Sequence, residues 1–233
     1  MLRTISDITG FDDVKLIKSS LSYDPPAEVY ESLTNNTIIK VYYYGNGDYD
    51  DSRVNEITDI TKKLSTVIPE YVPMIYTTHE TKDYVMIIME KMKGRLLGEY
   101  YRNIDLSVES RYKVATSLIS AVTALHHAGY IHRDLNTSNI IINCYDDVKL
   151  IDFGESEKNP NNSGVTLSDD YIYLKSHLAH LLYYPSCYQS SINDQFKIIE
   201  SYTPNNVIGY HDHPKIATIF YNLIQAIYED EDN

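Results

Sequence analysis

The sequence predicts an α+β fold in two lobes, with a strand-rich lobe over residues 1–92 and a mainly helical lobe over residues 93–233. Runs of β-branched and aromatic residues separated by turn residues dominate the first lobe. Apolar residues at helical spacing dominate the chain after residue 107. The polar stretch KMKG at 91–94 lies where the pattern changes, and it is the predicted linker.

The first lobe contains the predicted strands. Residues 13–46 include VKLIKSS and TIIKVYYY, which favour extended backbone, with DPP and TNN as turn-forming breaks. Residues 72–78 and 84–90 predict two further strands joined by a polar turn. Residues 51–65 predict a helix, because apolar residues recur every three or four positions. These positions are Val54, Ile57, Ile60 and Leu64.

The second lobe begins with the longest helical pattern, over residues 107–127. Ser107 suits the N-cap position, and Gly129 is placed to end the helix. Further along, the pattern predicts two short strands that can form a hairpin and then two helices. These elements are expected at 140–143, 148–152, 169–184 and 215–228.

Composition excludes some classes of partner. The chain has 33 acidic and 20 basic side chains, a formal net charge of −13, so it repels the phosphates of nucleic acids and anionic lipids. The N-terminal residues lack an apolar signal region, and no apolar run is long enough to span a membrane. Two cysteines fit a reducing compartment. We therefore expect a soluble, cytoplasmic protein with no nucleic-acid partner and no membrane insertion.

The strongest chemical signal is IHRDLNTSNIIIN at 131–143, followed by KLIDFGE at 149–155. Phosphoryl transfer needs an acid that orients the attacking hydroxyl, together with oxygen ligands that hold magnesium against the phosphates. Asp134 suits the first task, and Asn139 with Asp152 suits the second. Asn139 follows Asp134 by five positions, so one loop can direct both side chains to a common point.

HRDxxxxN followed by DFG at this separation resembles the catalytic core of the protein-kinase family. The resemblance covers about residues 14–184. It implies a bilobal protein-kinase-like fold with a reduced helical lobe, and ATP and Mg²⁺ as cofactors. The implied function is that of a compact serine/threonine protein kinase, with a protein substrate or regulatory partner.

The resemblance also assigns two residues of the first lobe. Lys40 in TIIK resembles the strand lysine that binds the α- and β-phosphates of ATP. Glu56 lies 16 residues later on the predicted helix, where the family places the ion-pair partner of that lysine. We therefore expect Lys40 and Glu56 to form an ion pair in a catalytically active protein.

Further family positions follow along the chain. Met89 resembles the gatekeeper residue at the end of the fifth strand. The backbone carbonyl of Glu90 and the N–H of Met92 are expected to meet adenine. Asp169 or Asp170 resembles the buried helix acid that holds the catalytic loop, and the sequence leaves the choice open.

The glycine-rich phosphate loop of the family is not recognisable. Val29 resembles the valine that follows this loop and is expected to contact ATP. With that alignment, non-glycine residues take the three glycine positions: Ser22, Asp24 and Ala27. Backbone amides approach phosphates less closely without glycine, so ATP binding is expected to be weak or to use another arrangement.

Two other departures affect the second lobe. Asn136 stands two residues after Asp134, where serine/threonine protein kinases usually carry lysine. Only 14 residues separate Gly154 from Asp169, and they contain no APE motif, so the peptide-positioning segment and a phosphorylatable activation loop are expected to be missing. Arg133 then has no obvious phosphate to bind.

DLNTSN resembles the corresponding loops of small Bud32/PRPK-type kinases and of reduced kinases that some bacteria inject into host cells. The departures leave two alternatives open: a small-molecule kinase, or a pseudokinase that binds a partner and ATP only weakly. The intact HRD and DFG favour a protein kinase. A pseudokinase has no chemical reason to retain the polar set Lys40, Glu56, Asp134, Asn139 and Asp152.

Two histidines on the predicted helix of the second lobe have two possible roles. His177 and His180 lie three residues apart, so a metal site is conceivable, but no further ligand at metal spacing completes it. We therefore expect packing or surface roles for both residues.

Overall fold

The computed structural model describes residues 13–21, 25–44, 51–102, 106–159, 168–182, 203–209, 211–212 and 214–229. The chain divides into two compact units, of which the first comprises Met1–Lys93 with Ile151–Lys158 and the second Gly94–Leu150 with Asn159–Asn233. The segment Ile151–Lys158 therefore belongs to the first unit although it follows residues of the second in sequence.

The first unit contains a five-stranded sheet in which neighbouring strands are antiparallel. Its strands are β1 (Val14–Ser20), β2 (Ala27–Ser32), β3 (Thr37–Tyr43), β4 (Ile75–Glu80) and β5 (Tyr84–Glu90), in the order β1-β2-β3-β5-β4. The strand expected at 72–78 begins three residues later, at Ile75. Pro73 accounts for the shift, since proline lacks the N–H that a ladder hydrogen bond requires.

Helix α1 (Asp51–Val67) packs its predicted apolar stripe against this sheet. Val54 and Ile57 are buried in one cluster with side chains from three strands, namely Ala27, Tyr42, Val85 and Ile87. Ile60 and Leu64 are also buried. The helical spacing of these four residues therefore correctly identified the buried face of the helix.

Strand register places three side chains of the sheet in one row. Lys40 on β3 lies opposite Val29 on β2, and Val29 lies opposite Lys18 on β1. A bulge in β1 between Leu16 and Lys18 shifts the register, so that Lys18 and not Ile17 faces Val29. Directly opposed residues point to the same face of a sheet, so Lys18, Val29 and Lys40 share a face.

The second unit is built around helix α3 (Val108–His127), which begins as the sequence predicts. The Ser107 side chain accepts a hydrogen bond from the backbone N–H of Ser110 at 3.1 Å, so Ser107 is the N-cap. Gly129 follows the helix with φ of 84°, a conformation that glycine adopts without strain. The predicted stripe of α3 is buried at Val114, Leu118, Val122 and Leu125.

A small sheet lies beside this helix in the second unit. It is formed by β6 (Arg95–Leu96), β8 (Ile140–Ile142) and β9 (Val148–Leu150), and β8 with β9 makes the predicted hairpin. Gly94 precedes β6 because a Cβ there would lie 2.4 Å from the carbonyl oxygen of Ile142. The other elements that the described residues form are α2 (Leu97–Tyr100), β7 (Tyr130–Ile131), β10 (Glu157–Lys158, in the first unit), α4 (Ser168–Leu182), a 3₁₀ helix (Pro204–Asn206) and α5 (Pro214–Glu229).

None of the helices within the described residues combines the length and apolar character needed to cross a bilayer.

His177 on α4 has a packing role. Its side chain is buried, and Nε2 donates a hydrogen bond to the carbonyl oxygen of Leu135 at 2.6 Å. Burial lowers the pKa of His177 to about 4, although the bond to Leu135 acts in the opposite direction. Burial also lowers the pKa of His180, whose Nδ1 donates to the carbonyl of Ser176. No cluster of three or more metal-ligating side chains occurs among the residues described.

Acidification is expected to destabilise the protein through His177. The pKa is 6.5 in the unfolded chain and about 4 in the folded protein, so the unfolded chain binds more protons between these values. The stabilisation is complete above pH 6.5 and is lost as the pH falls toward 4. At about pH 5 this residue alone should reduce the free energy of unfolding by about 2 kcal/mol, measurable by urea unfolding.

His177→Gln is the matched variant, because glutamine keeps a donor for Leu135 but does not titrate. Its free energy of unfolding should depend less on pH between about pH 5 and about pH 7 than that of the wild type. Equal pH dependence in the two proteins would contradict a buried neutral His177.

Candidate active site

Lys40 in the first unit is a buried cation. Its Nζ forms a hydrogen bond and ion pair with Oδ1 of Asp152, and it lies 4.8 Å from the centroid of the Tyr42 ring. Burial alone would lower the pKa of Lys40, but Tyr42 and the Asp152 carboxylate outweigh it, so the pKa is raised. Lys40 therefore remains charged, and it is oriented by a carboxylate and an aromatic face.

Asp152 forms ion pairs with two lysines, one at each carboxylate oxygen. Lys40 contacts Oδ1, and Nζ of Lys18 lies 3.4 Å from Oδ2. Burial raises the pKa of Asp152, but the two lysines lower it far more, so the pKa lies well below its usual range. The residue has φ of 62°, in the left-handed region, which is uncommon for a non-glycine residue.

Glu56 does not pair with Lys40, and this part of the sequence prediction needs correction. Oε2 of Glu56 instead accepts a hydrogen bond from Nη1 of Arg53 at 2.9 Å, within the same helix. Nη2 of Arg53 donates to the carbonyl oxygen of Gly154 at 3.0 Å. The Glu56 side chain is 43% exposed, whereas Lys40 is buried against Asp152. Lys40 therefore pairs with Asp152, and Glu56 pairs with Arg53, three residues earlier on the same helix.

The predicted adenine-binding positions lie at the end of the sheet in the first unit. Glu90 closes β5, its backbone N–H donates to the carbonyl of Met74 at 2.8 Å, and its carboxylate accepts from the N–H of Met74. Met89 packs against the cluster beneath α1, and Met92 and Val29 are half-buried. The adenine contacts of Glu90 and Met92, the gatekeeper role of Met89 and the ATP contact of Val29 remain predictions.

The region of the missing glycine-rich loop is described in part. Ser22 and Asp24 lie outside the described residues. Ala27 begins β2 and is buried in the apolar cluster beneath α1. At this glycine position, therefore, a small apolar side chain packs into the core of the first unit.

Asp134 in the second unit is held by two amides. Oδ1 accepts a hydrogen bond from Nδ2 of Asn136 at 2.7 Å, and Oδ2 accepts one from Nδ2 of Asn139 at 2.7 Å. The same nitrogen of Asn139 also donates to the backbone carbonyl of Asp134. Asn136 is held in turn because its Oδ1 accepts from the N–H of Ser138 at 2.8 Å. The carboxylate is therefore oriented through both of its oxygens.

Asp170 anchors the segment that carries Asp134. The residue is fully buried on α4, and its carboxylate accepts hydrogen bonds from the backbone N–H groups of His132 and Arg133, each at 2.8 Å. Nε2 of His126 lies 2.9 Å from the same carboxylate. Asp169 is exposed and pairs with Arg133 at 3.7 Å, so Asp170 and not Asp169 is the buried helix acid.

A cavity of about 430 Å³ lies within the second unit, between the loop after β7 and helix α4. Asn136, which holds Asp134, contributes to its wall together with Thr137, Arg133 and residues of α4. The α4 side includes Tyr173, whose pKa is raised by burial and by nearby acidic residues, so its hydroxyl stays protonated. The cavity thus presents hydroxyl, amide and guanidinium groups to a molecule that enters it.

Each unit carries donor groups of the kind that bind magnesium or a phosphate group. The Asp152 carboxylate is a hard oxygen ligand, and so is Oδ1 of Asn139, which takes no part in the bonds to Asp134. The ammonium group of Lys40 is of the kind that pairs with phosphate oxygens. Asp152 and Lys40 belong to the first unit, and Asn139 belongs to the second.

Three of the side-chain partners at the candidate site were not predicted from the sequence, namely Asn136, Arg53 and Lys18. Asn136 was recognised only as a missing lysine, although an Asp and an Asn two positions apart in a loop can hydrogen-bond to each other. Arg53 carried a signal as well, since it lies three residues before Glu56 on a helix. Lys18 carried none, because its place beside Asp152 depends on a bulge that composition does not reveal.

Comparison with known proteins identifies the family. The model of the protein kinase domain family matches residues 31–178, which is more than half of the chain. A probable serine/threonine-protein kinase 2 of Plasmodium falciparum is 32% identical over 157 residues, 63% of this chain and 29% of that protein. The Arabidopsis thaliana serine/threonine-protein kinase RUNKEL is 29% identical over 143 residues, 61% of this chain and 10% of that protein.

Mouse Citron Rho-interacting kinase is 32% identical over 103 residues, 42% of this chain and 5% of that protein. These matched stretches make up between 5% and 29% of the relatives' own lengths. The closer resemblance to Bud32/PRPK-type and bacterial effector kinases remains a prediction. The family match agrees with the five-stranded sheet and the helical second unit, so the predicted protein-kinase-like α+β fold is confirmed. This chain belongs to the protein kinase domain family.

Proposed function

We propose that this protein is a compact, atypical serine/threonine protein kinase that uses magnesium and ATP. It transfers the γ-phosphoryl group of ATP to a hydroxyl group of a protein acceptor. The acceptor oxygen forms a bond to the γ-phosphorus, the bond to the β-bridging oxygen breaks, ADP leaves, and the proton of the hydroxyl passes to Asp134 or to solvent.

The observation that carries this proposal is the orientation of Asp134. A carboxylate that orients or deprotonates an acceptor hydroxyl must keep a fixed direction and remain an acceptor. Asn136 and Asn139 each donate one amide hydrogen bond to a different oxygen of Asp134. Asp170 fixes the backbone that leads into this residue, so the carboxylate is oriented before a substrate arrives.

The nucleotide side of the reaction is supported by Lys40 and Asp152. A buried ammonium that keeps its charge is suited to bind phosphate oxygens in place of solvent. The carboxylate of Asp152 and the amide oxygen of Asn139 are the residues that would hold magnesium. When bound, this ion neutralises charge on the phosphates.

The acceptor side is supported by the cavity beside Asn136 and by the family relatives. Relatives from Plasmodium falciparum and Arabidopsis thaliana are named serine/threonine-protein kinases, which favours a serine or threonine hydroxyl. The second candidate acceptor is a small-molecule alcohol, for which the cavity of about 430 Å³ has room. Incubation with peptide and small-alcohol acceptors separates the two.

A reducing, cytoplasmic location is part of the proposal. Cys144 is an exposed free thiol, which fits a compartment in which thiols stay reduced. The net charge of −13 disfavours anionic lipid and nucleic acid as partners, so protein is the class of macromolecule that we expect to bind.

Asp134→Asn is expected to reduce phosphoryl transfer about 10²- to 10⁴-fold while ATP affinity stays within about twofold of the wild type. The substitution keeps the shape of the side chain but removes its negative charge. Radiolabelled ATP with a cell lysate measures transfer to protein, and calorimetric titration measures ATP binding.

Asp83→Asn is the control for the same chemical change, since Asp83 is an exposed turn residue of the first unit and has no predicted role in the reaction. It should transfer phosphate at the wild-type rate. Transfer by Asp134→Asn at that rate would contradict the assigned role. Absence of transfer by the wild type with magnesium and with manganese would favour the partner-binding pseudokinase.

Glu56→Gln should leave ATP affinity within about threefold of the wild type, because an exposed helix ion pair contributes little. Lys40→Met should weaken ATP binding about tenfold or more, since a buried cation and its bond to phosphate are lost. Calorimetric titration with ATP tests whether Lys40→Met loses more affinity than Glu56→Gln, and thermal melting verifies that each variant is folded. An equal loss in both variants would mean that Glu56 supports Lys40 once nucleotide is bound.

A further inference from the structure

We propose that Lys18 is a second phosphate-binding ammonium of the nucleotide site, acting together with Lys40. The inference rests on the proposed function and extends it to a residue outside the recognised sequence motifs. In the structure Lys18 pairs with one oxygen of Asp152 while Lys40 pairs with the other. Two ammonium groups therefore converge on the carboxylate that would hold magnesium.

The register of the sheet explains why Lys18 reaches this position. Lys18, Val29 and Lys40 lie opposite one another on β1, β2 and β3 and therefore share a face. The bulge in β1 produces this arrangement, because an unbroken ladder would set Ile17 opposite Val29. Bulges of this kind commonly redirect a side chain near a functional site.

The electrostatics of the chain favour such a group. The net charge is −13, and ATP is itself an anion, so a nucleotide site needs local cations. Two sources of positive potential found in relatives of this fold are altered here. Non-glycine residues occupy the loop positions where backbone amides would approach phosphate, and Asn136 replaces a lysine. Lys18 supplies a charge on the same face as Lys40.

The pair between Lys18 and Asp152 is suited to exchange. The Lys18 side chain is 56% exposed, and an ion pair of that exposure contributes little to folding. Lys40 is buried and stays with Oδ1 of Asp152. When a nucleotide binds, Lys18 moves from Asp152 to a phosphate oxygen. The carboxylate of Asp152 would then be available to hold magnesium, and no proton is transferred.

Lys18→Met tests this role, with Lys15→Met as the matched control. Lys15 lies on the same strand, is exposed, and makes no contact with Asp152 among the residues described. Both variants lose one positive charge, so a general electrostatic effect would appear in both. Lys18→Arg keeps the charge and should retain phosphate binding.

Calorimetric titration with ATP and with adenosine, in the presence of magnesium, gives the decisive comparison. Lys18→Met should bind ATP about tenfold more weakly than the wild type, while adenosine binding and the melting temperature stay unchanged. Lys15→Met should bind both ligands within about twofold of the wild type. Wild-type ATP affinity in Lys18→Met, or an equal loss in Lys15→Met, would overturn the inference.

The titrations contain no acceptor, so they measure ATP binding independently of phosphoryl transfer, which the radiolabelled ATP assay measures. If the wild type binds ATP through Lys18 but labels no acceptor in that assay, phosphoryl transfer is refuted and the phosphate contact stands. Normal transfer together with undiminished ATP binding by Lys18→Met would refute the contact alone. A wild type that binds no ATP would overturn both.

Discussion

The buried carboxylate of Asp170 is the interaction on which the candidate active site depends. A buried carboxylate is costly unless donors surround it, and here two backbone N–H groups and the ring of His126 do so. These bonds hold His132 and Arg133, and Arg133 takes a φ of 64° that an unsupported chain would avoid. The orientation of Asp134 by its two amides starts from this fixed backbone.

In the first unit, two lysine side chains form ion pairs with the same carboxylate, that of Asp152. Asp152 lies between a buried lysine and an exposed one, and the two pairs differ in consequence. Burial makes the Lys40 pair hard to separate, because either charge left alone would lack solvation. Exposure makes the Lys18 pair easy to exchange. A strongly acidic chain thus keeps two ammonium groups at the proposed phosphate-binding position.

The sequence indicated most of the elements, and local physics explains why. The stripes of α1 and α3, the Ser107 cap, Gly129 and the hairpin each depend on residues within a few positions of one another. The candidate site was predictable where one loop carries its groups, as with Asp134 and Asn139. It was not predictable where partners lie far apart in the sequence, as with Lys40, which pairs with Asp152 and not with Glu56.

The sequence by itself determined the fold class, the family resemblance and the polar groups available for phosphoryl transfer. Composition, periodicity and motif spacing can be read from the sequence without knowledge of tertiary contacts. Only the tertiary structure decided that Asp170 and not Asp169 is the buried acid, and that Lys18 reaches Asp152. Both outcomes depend on which side of an element faces the interior, and packing and a one-residue bulge set that side.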